Sequence, residues 1–406
     1  METYAKLLNI AIPIFVTLIV LEAIIAYFQG KQIWNRLDTL ASLASGMSNV
    51  LKDVLGLSFV IISYDWLVSH FSIFSIENSF IVYLIAFVGI DFAGYWVHRI
   101  SHHVNFFWNT HIIHHSSEEF NLACALRQSI SSFFSIAVFF LVPVAILGVP
   151  SEVIAIIAPL HLFAQYWYHT RLIGKLGILE KIIVTPSSHR VHHAINPEYI
   201  DKNLGQIFIF WDLIFGTYQE ELDDVPPVYG VTRQVNTYNP FIINFQHIWL
   251  MITDAYRTND WSAKLKIWLM PTGWRPIDVE LKYPVPKTTN PFNRKKYQIH
   301  LSVKAEIWIW IEFIFTLFIM LLFFNTIGSI NPTVIIWIGI FLFISIFSFT
   351  SLMDKSRWAI PSSFIASIIG IVLASSSISF NLYFLVPVVL FLIINPIITT
   401  TLLPNK

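Results

Sequence analysis

Long apolar runs recur along the chain, separated by shorter polar stretches. A helix of roughly 20 apolar residues is long enough to cross about 30 Å of hydrocarbon. Such runs lie near residues 7–28, 51–70, 79–98, 130–149, 152–169, 305–325, 332–352, 360–378 and 382–402. The first contains Glu22 and no small-residue cleavage site follows it, so a retained span is predicted rather than a signal peptide. The pattern predicts an all-α, polytopic membrane protein with about nine transmembrane helices.

Two polar stretches interrupt this pattern. Residues 29–47 carry Leu37, Leu40 and Leu43 at helical spacing, which is typical of a helix lying in the membrane interface. A stretch of about 130 residues after the fifth span holds most of the charge and is predicted to form a cap. Because we find no repeat or low-complexity linker, we predict one boundary only. It separates residues 1–299, with the cap, from a C-terminal transmembrane helical region, residues 300–406.

The composition agrees with a membrane protein and limits its chemistry. Hydrophobic residues make up 55% of the chain and charged residues 12%, and the mean hydropathy is +0.64. Lys plus Arg and Asp plus Glu each number 25, so no charge excess points to a nucleic acid partner. Cys124 is the single cysteine. A metal site in this chain must therefore use imidazoles rather than thiolates.

Basic residues near the ends of the predicted spans indicate the orientation, because Lys and Arg resist translocation. They are Lys31, Arg36, Lys52, Arg99, Arg127, Arg171, Lys175, Lys181 and Arg190, and in the C-terminal region Lys304, Lys355, Arg357 and Lys406. Nine spans place all of them on one side. The N-terminus is then outside, and the basic face is cytosolic, in a bacterial inner membrane or the endoplasmic reticulum.

Histidines cluster in three motifs on this same face. The motifs comprise His98 and His102, then His111, His114 and His115, and then His189, His192 and His193. Spacings of three and four place side chains on one face of a helix, where they can chelate an ion. Eight histidines exceed what one tetrahedral ion can bind. If the motifs converge, they predict two metal ions, and imidazoles suit Fe, Zn, Cu or Ni.

The fifth predicted span adds a polar stripe of His161, Gln165 and His169. Ionisable residues inside a span are costly and usually functional. We predict that His169 is a metal ligand and that His161 is either a ligand or a partner of one. Asp91 and Asp201 are candidates to accept the free ring N–H of a ligand, although Asp91 could equally make a structural hydrogen bond between helices. Gln165 is a further candidate to contact a metal ligand.

Other histidines and the tryptophans have structural interpretations. His70, His247 and His300 lack clustered partners, so no metal role is predicted for them. Several tryptophans fit an interfacial belt that holds the cap at headgroup depth. They are Trp108, Trp211, Trp249, Trp261, Trp268 and Trp274.

The motifs and their surroundings resemble the fatty acid hydroxylase and sterol desaturase superfamily. The resemblance lies in HRISH at 98–102, HIIHHSSEEFNLACALRQS at 111–129, SSHRVHHAINPEYIDKNLGQIFIFWDLIFGTY at 187–218 and PVYGVTRQVNTYNP at 227–240. The histidine pattern is typical of the superfamily as a whole. The longer segments, with GWRP at 273–276 and the added C-terminal helices, are similar to its alkylglycerol monooxygenase branch.

The resemblance implies a non-haem di-iron enzyme that uses O2 to oxidise a lipid C–H bond. In the alkylglycerol branch the carbon next to the ether oxygen is hydroxylated, the hemiacetal collapses to an aldehyde, and tetrahydrobiopterin supplies electrons. The ligand motifs carry over to His98, His102, His111, His114, His115, His169, His189, His192 and His193. Residues 1–299 would then be the catalytic region. Two Fe ions are expected. Zn can replace them in purified protein, but a zinc-loaded protein should be inactive because Zn is redox-inert.

One residue departs from the resemblance, and several alternatives stay open. Relatives carry Glu directly after the first HxxxH, where this chain has His103, which makes His103 the residue to examine for pterin binding. No Rossmann or P-loop motif appears, so an external donor or reduced pterin is expected to supply electrons. A sterol, carotenoid or fatty acyl hydroxylase or desaturase would share the metal core. A metal-ion transporter should instead carry polar residues along several spans.

Overall fold

The computed structural model describes residues 2–57, 62–74, 76, 79–132, 136–376 and 382–403. Within these ranges the regular structure is helical, and isolated bridges such as Val104 with Pro271 take the place of strands. The helices are α1 Glu2–Phe28, α2 Arg36–Val54, α3 Tyr64–Phe71, α4 Phe80–His103, α5 Asn105–His115, α6 Ala137–Phe140, α7 Val142–Ile146, α8 Ser151–Phe163, α9 Pro186–His192, α10 Phe210–Phe215, α11 Pro240–Arg257, α12 Trp261–Lys266, α13 Ile277–Lys282, α14 Val303–Thr326, α15 Pro332–Met353, α16 Ala359–Ser376 and α17 Leu382–Leu402. The all-α prediction is therefore confirmed.

Several apolar helices indicate a multi-pass membrane protein. Among the described residues, five stretches are long and apolar enough to cross a membrane: Tyr4–Phe28, Phe80–His103, Val303–Ser329, Pro332–Met353 and Leu385–Leu402. Two further apolar helices, α8 and α16, are shorter. Nine spans are thus not confirmed.

Three of the four differences from nine spans fall in the first half of the chain, and the fourth is α16 near its C-terminal end. Around 51–70, α2 ends at Val54 and α3 has only eight residues. Around 130–149, α6 and α7 have four and five residues and are separated at Leu141. Around 152–169, α8 ends at Phe163. Hydropathy measures how readily a stretch of residues enters an apolar medium, and it does not show whether the stretch forms one continuous helix. Short apolar helices packed on α4 therefore have the same signal as a span.

The stretch expected to lie in the interface forms a buried helix instead. Asn35 caps α2 by accepting from the backbone N–H groups of Leu37 and Asp38. Leu40, Ala44 and Leu51 are fully buried in a core shared with α14 and α15. The division near residue 299 stays a prediction, because α1 packs on α14 and α2 packs on α15.

Candidate metal centre

Nine buried or half-buried histidines form two groups in which the ring nitrogens converge. In each group one nitrogen from every member lies within 4.8 Å of the others. The first group is His98, His102, His111, His115 and His192, and the second group is His114, His169, His189 and His193. The groups are adjacent, since the ring centroids of His115 and His193 are 4.4 Å apart.

Separations between the Nε2 atoms are close to those expected around a metal ion. In the first group they are 2.9 Å for His98–His111, 3.0 Å for His111–His115, 3.1 Å for His115–His192 and 3.2 Å for His102–His115. In the second group they are 2.9 Å for His169–His189, 3.0 Å for His189–His193 and 3.5 Å for His114–His169. Two nitrogens about 2.1 Å from one ion at a right angle would be about 3.0 Å apart.

The two groups interlock because α5 and the α9 region carry the same histidine spacing. His111 and His115, four apart on α5, enter the first group, whereas His114 lies about 100° away and enters the second. The α9 motif is used in reverse: His189 and His193 enter the second group and His192 the first. The first group is completed by α4 and the second by His169. The second and third motifs are thus each divided between the two groups, whereas the first motif lies entirely in the first group.

A loop at residues 201–204 orients the first group. The Nδ1 atom of His98 lies 2.8 Å from the Leu204 carbonyl oxygen, and that of His192 lies 3.0 Å from the Lys202 carbonyl oxygen. The Nδ1 atom of His102 lies 3.1 Å from Asp201 Oδ1. Carbonyl and carboxylate oxygens only accept, so each Nδ1 carries the proton. Each Nε2 then directs a lone pair into the group.

The loop adopts a backbone that few residues tolerate. Asp201 and Asn203 have φ values of 59° and 53°, a left-handed region in which Asn and Asp are enriched. The Asn203 side chain donates to the carbonyls of Ser188 and Gln219 and accepts from the Gln219 N–H. The Asp212 carboxylate accepts from the Leu204 N–H. These bonds fix the carbonyls that the histidines need.

The second group is held by dispersed contacts. The Nδ1 atom of His114 donates to the Arg127 carbonyl at 3.2 Å, and that of His169 donates to the Gln165 carbonyl at 3.1 Å. The Nδ1 atom of His189 is buried and has no hydrogen-bond partner within the described part of the chain. The backbone at Arg127 is itself anchored, because the buried guanidinium contacts Asp38 at 2.6 Å and also donates to Ser42 and Ser116.

Burial keeps these imidazoles uncharged. It lowers the pKa of His111, His115, His169, His189, His192 and His193 well below the usual value, and neighbouring imidazoles lower it further. Burial lowers the pKa of His114 to about 4. Neutral imidazoles with their Nε2 lone pairs converging about 3 Å apart repel one another unless a cation lies between them. The donor set therefore fits two cations, one in each group.

Three predicted site residues, His161, Gln165 and Asp91, form a separate cluster. His161 lies outside both groups, and its Nε2 atom is 2.7 Å from Asp91 Oδ1. The Gln165 side chain lies 3.1 Å from His161 Nδ1. Asp91 also accepts from the Ile207 N–H and the Trp211 indole N–H. Its bonds thus tie α4 to the 207–211 segment and do not reach a histidine of either group.

Of the remaining predicted residues, some contact the histidine groups and others lie away from them. Asp201 contacts His102 as expected for a residue that orients a ligand. His103 is exposed and lies outside both groups, and its Nδ1 atom contacts the Arg99 carbonyl one turn earlier. Of the tryptophans expected in an interfacial belt, Trp249 and Trp261 are 65% and 76% exposed.

Other contributors were not identified from the sequence. Trp108, expected in the interfacial belt, places its ring centroid 5.3 Å from that of His102 and 5.7 Å from that of His115. Phe120 packs 5.2 Å from His193, and no sequence signal marks it. The sequence also does not mark the backbone carbonyls at 202–204, since every residue has a carbonyl. Arg127 is buried in the structure, and the sequence alone does not distinguish it from an arginine at the end of a span.

Comparisons with known proteins agree with this geometry. The fatty acid hydroxylase family model matches residues 83–217, a range that contains all nine histidines. Alkylglycerol monooxygenase from Homo sapiens is 36% identical over 71% of this chain and 66% of its own length, and that from Xenopus tropicalis is 37% identical over 68% and 61%. The chain thus spans slightly less than two thirds of these relatives.

More distant relatives match a shorter region. Ornithine lipid hydroxylase OlsE from Rhizobium tropici is 28% identical over 36% of this chain and 44% of its own length. No solved structure matches the chain.

Proposed function

We propose that the chain is a membrane-bound di-iron monooxygenase of the fatty acid hydroxylase family, whose model matches residues 83–217, and that it acts on an alkylglycerol ether lipid. The observation that carries the proposal is the pair of adjacent groups of uncharged imidazoles. The alkylglycerol monooxygenases among its relatives support the ether lipid as substrate. A sterol, carotenoid or fatty acyl substrate is the alternative, since sterol desaturases are 25–28% identical over about a third of the chain.

The nine histidines would hold two irons, five around one and four around the other. Bound iron would supply the redox chemistry that lets O2 oxidise an unactivated C–H bond, which redox-inert zinc in the same positions would not. The chain's own residues prepare the positions: the 201–204 loop fixes the tautomers of His98 and His192. Trp108 and Phe120 cover two sides of the cluster with apolar rings that exclude water.

The proposed overall reaction is R–CH2–O–R′ + O2 + 2e⁻ + 2H⁺ → R–CH(OH)–O–R′ + H2O. The hemiacetal then breaks its C–O bond to give the aldehyde R–CHO and the alcohol HO–R′. The two electrons come from an external donor or from tetrahydrobiopterin. The basic residues Arg99, Arg127, Arg171 and Arg190 surround the histidines in sequence, which supports a cytosolic site in a bacterial inner membrane or the endoplasmic reticulum.

The test replaces His192 by alanine and uses His300→Ala, an exposed histidine outside both groups, as the matched control. Iron per chain is measured by mass spectrometry, and aldehyde release from 1-O-hexadecylglycerol is measured with and without O2. We expect about two irons in the wild type, and loss of iron and aldehyde only in His192→Ala. Iron and turnover that survive in His192→Ala would contradict the proposal.

Two further results would favour a different function. A hydroxylated sterol or fatty acid in place of the aldehyde would favour another branch of the family. Metal uptake into proteoliposomes that contain the chain would favour a transporter.

A further inference from the structure

A cavity of about 150 Å³ lies beside the first histidine group. Its lining includes Trp108, Arg233, Thr272, Trp274 and Lys287. The Trp108 ring separates it from the metal positions, because the same ring packs against His102 and His115. A ligand in this cavity would therefore lie next to the proposed reaction centre without touching the histidines.

The cavity holds hydrogen-bond donors that lack acceptors. Among the described residues, the buried Nη1 atom of Arg233 and the buried Oγ1 atom of Thr272 have no hydrogen-bond partner. Buried polar atoms of folded proteins are nearly always paired. These two unpaired polar atoms at one cavity can donate to a ligand that accepts hydrogen bonds.

The charge of the lining favours an anion. Asp254 is the acidic residue in the described lining, and Arg275 occupies both of its carboxylate oxygens, at 2.6 and 2.9 Å. Burial lowers the pKa of His247 to about 4, so this histidine is uncharged at neutral pH. Arg233 and Lys287 remain as two cationic side chains without a carboxylate partner in the lining.

The surroundings of the cavity suit the depth of lipid headgroups. Its wall includes Met251 from α11 and Ile267, which directly follows α12. The same part of the chain exposes large apolar side chains beside lysines: Trp249, Trp261, Leu265, Leu269, Ile277 and Leu281 next to Lys264, Lys266 and Lys282. Exposed tryptophans interleaved with lysines are typical of a surface that rests in the membrane interface.

We propose that this cavity is a phosphate-binding subsite, occupied by the phosphate of an ether lysophospholipid. This deepens the function proposed above and rests on it for the identity of the lipid. A phosphate offers several acceptor oxygens and negative charge, and a guanidinium binds such a group through paired hydrogen bonds. Thr272 would donate to a further oxygen, and Lys287 at the cavity wall would add charge. The subsite would hold the headgroup of the lipid while its alkyl ether approaches the histidine groups.

The experiment measures binding, so that it does not depend on turnover. The full chain in lipid nanodiscs is titrated with 1-O-hexadecylglycerol, with its 3-phosphate, and with inorganic phosphate, by calorimetry. The variants are Arg233→Met and Thr272→Val, and the control is Arg357→Met, which removes an exposed arginine outside the cavity. Because Arg233 Nη1 has no hydrogen-bond partner among the described residues, Arg233→Met should unfold at the wild-type temperature.

We expect the wild type and Arg357→Met to bind the phosphate lipid about 10- to 100-fold more tightly than the uncharged lipid. Arg233→Met should lose this preference and keep its affinity for the uncharged lipid, and Thr272→Val should lose part of it. Inorganic phosphate that binds through Arg233 while the lipids show no preference would support the phosphate subsite with free phosphate as its source. An Arg233→Met chain that keeps the preference, or a wild type that binds neither phosphate, would overturn the inference. Failure to release aldehyde would count against the proposed function alone.

Discussion

The two histidine groups contain similar ligands but are oriented in different ways. Three of the five histidines in the first group take their tautomer from the single loop at residues 201–204. In the second group, two histidines use separate carbonyls, and His189 Nδ1 is unpartnered within the described residues. Orientation of the first metal position is thus concentrated in one loop, whereas that of the second is dispersed. Substitutions away from the histidines should therefore separate the two positions.

The largest effect is expected at Arg127, whose carbonyl orients His114 in the second group. Arg127→Met leaves the buried Asp38 carboxylate without its cation, which costs about 3–5 kcal/mol of stability. Thermal unfolding in detergent should show a lower transition temperature, and the double variant with Asp38→Leu should recover part of it. An unchanged transition in the single variant would show that this ion pair does not anchor the second group.

Substitution of Asn203 tests the first group in the same way. Asn203→Ala loses three side-chain hydrogen bonds and places alanine at φ 53°, which together cost about 2–4 kcal/mol. Iron should fall towards one per chain as the first position empties. Asn203→Gly tolerates the backbone and should recover about 1 kcal/mol of stability without recovering the iron. Equal loss from both positions, resolved by Mössbauer spectroscopy, would remove the distinction between the groups.

A milder change at the same loop concerns the partner of His102. Asp201→Asn keeps the left-handed backbone and one acceptor but removes the charge, so iron affinity at the first position should fall about tenfold. Asp201→Gly removes the acceptor entirely and should cost up to about 100-fold. Competition with a chelator measures both, with the exposed Asp223→Asn as the control. Equal affinities in all three variants would mean that Asp201 does not orient His102.

The smallest effect on metal is expected at His103, which lies outside both groups. His103→Glu should keep the wild-type iron content, because the imidazole contacts only its own helix in the described structure. Any change should be confined to turnover with tetrahydrobiopterin, measured beside a pterin-free assay. Loss of iron in His103→Glu would place this residue among the ligands and would break the division into five and four.

The spacing of the histidines identifies residues that converge in space, but it does not show which of the two groups each histidine joins. His98 and His102 share a helical face, and so do His111 and His115, which is why the motifs could be recognised. The assignment of His114 and His192 to opposite groups depends on how α5 and α9 interlock, and spacing within one helix contains no such information. Of the two roles expected for Asp91, the structure shows the hydrogen bond between helices, because His161 reaches it from α8.

Hydropathy predicted the long C-terminal helices better than the region around the site. The runs at 305–325 and 332–352 correspond to α14 and α15. The run at 130–149 is divided into α6 and α7, because the chain there folds against α4 instead of continuing as one helix. Apolar residues are compatible both with one spanning helix and with two short helices packed on α4, so the apolar pattern alone does not decide between them.

The most direct test of two metal positions is an anomalous difference map of the iron-loaded protein, recorded at the iron absorption edge. We expect two peaks, one within reach of the Nε2 atoms of His98 and His192 and the other within reach of those of His189 and His193. A single peak, or peaks away from both groups, would contradict it.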